Sequence, residues 1–118
     1  MVEKRLLCPE RERRVPRQFS WVDQGLVTQR QLERCSVGAW GLYLLLAVVG
    51  DSRGLSYYSD ASVCGHLSIS NAELEQLRCE LCAAGMLAYH KPLYQILALL
   101  PQKSQQRAGR SGEEVLLA

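Results

Sequence analysis

The run Asp60-Ala61-Ser62-Val63-Cys64-Gly65-His66-Leu67-Ser68-Ile69-Ser70, continued by Leu74, Leu77, Leu81 and Gly85-Met86-Leu87, decides how this 118-residue chain folds. Ser59 or Asp60 can accept a hydrogen bond from the first free N–H groups of a helix, so a short helix is expected from Ala61 to about Leu67. Ser68-Ile69-Ser70 breaks it and starts the next one. Glu73 stands three residues after Ser70, the spacing at which each side chain bonds the other's backbone N–H. Leucines at 74, 77 and 81 then fall on one side of a helix over residues 71–84. Gly85 suits the left-handed cap that ends it.

The flanks extend the pattern. Ser36 caps a helix running from Val37 to Val49. That helix is apolar nearly all round, so it is expected at the centre of the fold, covered on most sides. Trp40, Tyr43 and Leu44 on it either close the core or meet a second copy of the chain. Gly50-Asp51-Ser52-Arg53-Gly54 is a turn cluster and Leu55-Ser56-Tyr57-Tyr58 a short strand. After Gly85, residues 86–89 and 93–99 have strand composition and are joined by His90-Lys91-Pro92, which makes a hairpin. The fold class expected is mainly α with a small β-hairpin. Residues 1–20 form a basic N-terminal arm, 21–35 a connection, 36–100 the folded domain and 101–118 a flexible C-terminal tail.

The order helix, strand, helix, three-residue turn, helix, hairpin resembles the winged helix-turn-helix family over residues 36–100. The short helix, the Leu67-Ser68-Ile69-Ser70 turn, the leucine-striped helix and Gly85-Met86-Leu87 carry the likeness. Phe19-Ser20-Trp21-Val22-Asp23 and Gly54-Leu55-Ser56-Tyr57-Tyr58 are similar to segments of small mobile-element proteins and replication-initiator domains. The resemblance implies that the helix after the turn enters the major groove of double-stranded DNA. Ser70, Asn71, Glu75, Gln76 and Arg78 are then the groove-side candidates, since Asn and Gln can pair with adenine and Arg with guanine or phosphate.

Net charge is +2, too small to prove a nucleic-acid partner, but its placement is uneven. Residues 1–35 carry eight basic groups against five acids, whereas residues 36–100 carry three against five. Arg11, Arg13, Arg14 and Arg17 lie within seven residues, between Pro9 and Arg17, and are the expected phosphate contacts, with Lys91 at the hairpin tip. Local pairing with Glu3, Glu10 and Glu12 is the competing role for the arm. Phe19, Trp21 and Val22 are expected to be buried where the arm rejoins the core. Glu73, Glu75 and Glu80 outnumber Arg78 on the helix after the turn, and acids facing phosphates are repelled. The alternative function is therefore a winged-helix protein–protein module, an accessory subunit that does not touch DNA.

Five cysteines cannot all pair in intramolecular disulfides, which with reduced thiols points to the cytoplasm. Residues 39–49 are the most apolar run and too short to span a membrane. Cys64-x-His66 and Cys79-x-x-Cys82 offer soft ligands, but on helices they diverge, so packing rather than a metal site is expected. No phosphate loop, dinucleotide turn or nucleophile–base spacing is present. The expectation is a non-enzyme with no cofactor, no metal and no small-molecule substrate. Its partner is double-stranded DNA, with a protein partner or a homodimer as the further possibility, and its role is regulatory or tied to replication or transposition.

Overall fold

The computed structural model describes residues 3–100. Its elements are α1 (Gly25–Thr28), α2 (Val37–Val49), β1 (Leu55–Tyr57), α3 (Asp60–Leu67), α4 (Asn71–Ala83), β2 (Leu87–His90) and β3 (Leu93–Ile96), with single 3-10 turns at Pro9–Arg11 and Gln31–Arg34. The chain is mainly α with a small antiparallel sheet. The strands are ordered β1-β3-β2, so the strand ahead of α3 pairs with the far strand of the hairpin. The tail residues Lys103, Arg107, Arg110 and Val115-Leu116-Leu117 lie outside the described residues.

The three longer helices α2, α3 and α4 each start on a serine that bonds the helix's own first turn. Ser36 Oγ accepts from Ala39 N at 3.2 Å, Ser59 Oγ from Ser62 N at 3.1 Å and Ser70 Oγ from Glu73 N at 3.1 Å. Glu73 Oε1 returns the favour by accepting from Ser70 N at 3.0 Å, closing the reciprocal pair expected from the sequence. Between α3 and α4 the chain reverses through Ser68, which has φ +56°. At the far end of α4, Gly85 has φ +77°. There its N–H bonds Cys82 O and the Met86 N–H bonds Leu81 O, which satisfies carbonyls the helix leaves free.

The core joins Leu26, Ala39, Leu42, Tyr43, Leu46, Val63, Leu74, Leu81, Met86, Leu87 and Tyr94. α2 supplies four of these, as its composition predicts. Leu74 and Leu81 are fully buried, while Leu77 is half-buried and packs over Gly38 of α2. Leu26, from the stretch ahead of α2, is part of the same cluster, and Asp23 Oδ1 fixes its turn by accepting from Gly25 N at 2.7 Å.

Three local expectations are corrected. The strand expected over 93–99 ends at Ile96, although Leu97 N still bonds Met86 O. His90 pairs with Leu93 inside the hairpin, so the tip is the two-residue turn Lys91–Pro92. Phe19 and Trp21 are not buried: they are 65% and 70% exposed, and Val22 is exposed as well. The arm rejoins the fold through a polar bond, Ser20 Oγ to Val48 O at 3.0 Å, and Leu26 rather than an aromatic ring provides the apolar anchor.

Candidate nucleic-acid interface

α4 presents two chemically different sides. Ala72, Glu75, Gln76, Cys79 and Ala83 are exposed opposite the buried leucines, and Asn71 is exposed on the flank that faces α3. Glu75 and Gln76 thus share the outer side of its first half, while Ser70 and Asn71 stand at its N-terminal end beside α3. Ser70 is engaged in the helix cap, and Asn71 Oδ1 accepts from Cys64 Sγ of α3 at 3.4 Å while the residue stays exposed. Gln76 projects a donor and an acceptor with no protein partner among the described residues.

Arg78 does not join this group. Its guanidinium donates to Tyr94 Oη at 2.8 Å and to Asp60 Oδ1 at 3.1 Å, and its Cζ lies 4.1 Å from the centre of the Tyr89 ring. Its side chain is only 11% exposed. Burial alone would lower the Arg78 pKa, but the bonds from Tyr94 and Asp60 overcompensate and hold it further toward the charged form. The Tyr94 phenol is raised, first by its own burial. Arg78 therefore braces α4 against the start of α3 and both hairpin strands. Sequence reasoning missed this use, though Tyr89 and Tyr94 stand symmetrically about the hairpin turn and are direct cross-strand partners.

Glu80 is also committed inward. Its two carboxylate oxygens accept from Ser36 N at 2.7 Å and Ser36 Oγ at 2.9 Å, tying α4 to the positive end of α2. Glu73 is held in the cap of α4. Glu75 alone of the four charged groups on α4 has no protein partner among the described residues. Of the three acids and one base read from the sequence, only Glu75 is left without a protein partner among the described residues, and the one base is withdrawn from the outer side as well.

Arg11, Arg13, Arg14 and Arg17 are all exposed. None of them forms an ion pair among the described residues, and Glu10 accepts instead from Cys8 Sγ at 3.2 Å. Lys91 is exposed at the hairpin tip. The arm arginines and the outer side of α4 are separate groups of candidate contacts, carried by different elements.

No family model matches the chain, and no curated protein matches it. A solved structure described as "Structure of Rep-DNA complex" is similar in fold, with a TM-score of 0.53 at 13% sequence identity. The similarity covers 83% of this chain and 89% of that one, so it includes more than the two-helix unit.

Beside the junction of arm and fold lies an open groove of about 510 Å³, lined by Phe19, Trp21, Tyr43, Arg53 and Leu97 among others. Asp23 and Asp51 also reach it, so its charge does not suit a phosphate backbone. Asp51 Oδ1 accepts from Arg53 N at 2.8 Å and Leu55 N at 3.0 Å, and these bonds hold its carboxyl below the usual range. Among the described residues no group of three or more His, Cys, Asp or Glu is placed to hold a metal ion. Cys64 bonds Asn71 while His66 lies against Tyr58, which separates the two halves of that motif. Burial pushes the Cys35 thiol up, away from the reactive thiolate. No helix among the described residues is long and apolar enough to cross a membrane.

Proposed function

We propose that this chain is a winged helix-turn-helix protein that binds double-stranded DNA in replication, transposition or regulation, without catalysis of its own. The carrying observation is the outer side of α4, which follows a left-handed turn from α3 and leaves Gln76 without a protein partner among the described residues and Asn71 exposed, while Glu73, Arg78 and Glu80 are bonded within the protein. The likeness to a chain from a Rep-DNA complex supports the same reading. In it α4 lies in the major groove and Gln76 and Asn71 meet base edges, with Glu75 available to accept from a cytosine amine and Ser70 close to the backbone. The Lys91–Pro92 turn is the wing tip and puts Lys91 on a phosphate. Arg11, Arg13, Arg14 and Arg17 add phosphate contacts that strengthen binding without reading sequence.

A salt series on one labelled duplex tests this. Replacing all four arm arginines with alanine should flatten the slope of log affinity against log salt by roughly three to four units, one for each lost phosphate contact. Gln76→Ala should weaken a preferred sequence more than a random one and leave the slope nearly unchanged. An unchanged slope in the quadruple variant removes the arm from the mechanism. One observation favours the second reading, a protein-interaction module: the unpaired charge on the outer side of α4 is the acid Glu75, which suits a basic protein surface. Absence of duplex binding at low salt decides for that module.

A further inference from the structure

α2 is apolar on two opposite sides, and the fold covers only one. At 100° per residue its buried Ala39, Leu42, Tyr43 and Leu46 centre on one side, and Val37, Gly41, Leu44 and Val48 fall within an arc of about 60° on the other. Val37 is 90% exposed, Leu44 57% and Val48 59%, and a side chain at Gly41 would meet nothing within 4 Å. The thirteen residues of α2 include no charged group. A helix of that composition is stable in water when both sides are covered. From this we infer that the chain forms a two-fold dimer in which the outer stripe of α2 packs on the same stripe of a second copy.

Area and charge both favour a second copy. Val37, Leu44 and Val48 alone expose on the order of 350 Å² of apolar surface. A standard interface removes about 800 Å² from each partner, somewhat more than half of it apolar, so the stripe supplies most of the apolar share such a contact needs. A two-fold contact brings no like charges together, because the stripe has none, and Gly41 near its middle lets the two backbones approach closely. A nucleic acid would find no cation there. A lipid surface is equally unsuited, since helices that lie on membranes flank their apolar side with Lys and Arg and α2 has neither. Where DNA binding also holds, the two-fold axis makes the recognised site an inverted repeat.

Sedimentation of the full chain without DNA tests the dimer separately from the DNA reading. The wild type should pass from monomer to dimer over roughly two orders of magnitude of concentration around the micromolar range. Leu44→Lys with Val48→Lys should remain monomeric throughout while keeping its circular dichroism spectrum. Gly41→Arg guards against a folding artefact: it has open space and gains helix propensity, so at concentrations where wild type is monomeric it should melt no lower than wild type, yet form no dimer at higher concentration. A wild type that is monomeric across the series overturns the inference. So does a dimer that survives both variants, which would place the contact elsewhere. A monomer whose Leu44 and Val48 are shielded from hydroxyl-radical labelling would assign the stripe to residues 101–118 and likewise overturn it.

Discussion

α2 and α4 are each thirteen residues long, each begins on a capping serine, and they pack against one another, yet they direct their side chains in opposite ways. α4 carries four charged groups and ties three of them to the protein itself: Glu73 to its own cap, Arg78 to Asp60 and the hairpin tyrosines, Glu80 to the start of α2. α2 carries none and leaves valine and leucine outside. Composition alone would call α4 the solvated helix and α2 the enclosed one. The contacts show that charge on a helix describes its surface only after its internal partners have been subtracted.

The comparison breaks first at the leucine stripe. Leu81→Ala should cost about 2–5 kcal/mol in chemical denaturation, as truncation of a fully buried leucine does, and Leu77→Ala less because Leu77 is half-buried. Gln76→Ala should stay within about 0.5 kcal/mol. Equal costs at positions 76 and 81 would mean that α4 is rotated about its axis.

Arg78→Met comes next. It keeps much of the side-chain length but removes two hydrogen bonds made by a charged donor, so a loss of about 1.5–3 kcal/mol is expected. A change no larger than that of an exposed residue would return Arg78 to the outer side and restore it as a groove contact. Glu80→Ala should cost about 1 kcal/mol by freeing the Ser36 N–H and hydroxyl at the head of α2. Thermal melts of the two variants, alone and combined, would show whether the inward charges of α4 act independently, as their separate partners imply.

The smallest effect lies just beyond the C-terminus of α2. Asp51 has a lowered pKa because backbone N–H groups of Leu55 and Arg53 bond its ionised form. A lowered carboxyl stabilises the fold fully above the unfolded value of about 4 and loses that contribution as pH falls through the folded value. Melting temperatures measured from pH 7 downward should therefore fall more steeply for wild type than for Asp51→Asn, which retains an acceptor but does not titrate. Parallel curves would show that the turn gains nothing from the charge.

Much of this architecture was legible in the residues because caps and periodicity are local. Ser36, Ser59, Ser70 with Glu73, and Gly85 each act within one turn of where they stand, and the helices begin and end there. The leucine stripe likewise needed only the 3.6-residue repeat. The uses of Arg78 and Glu80 were not legible, because their hydrogen-bond partners lie 16 to 44 positions away and nothing in a single helix announces them. The aromatic residues of the arm misled for a related reason. Phe19 and Trp21 have the chemistry of anchors, but a hydroxyl-to-carbonyl bond and Leu26 make the junction instead. For the proposed DNA contacts, residue type could nominate Asn71 and Gln76, while which side chains were already committed within the protein became visible only with the fold.

The strand order has a kinetic meaning. β2 and β3 meet across two residues, and α3 and α4 meet across three, so both units can form from contacts close in sequence. β1 must instead find β3 across a stretch that contains both helices, with Leu55 opposite Gln95. Closing so long a loop is entropically costly and becomes favourable only once the enclosed pieces are compact. β1 should therefore act as the latch of the domain, pairing with β3 only after the two-helix unit and the hairpin have formed, an order that pulse-labelled amide exchange during refolding would check.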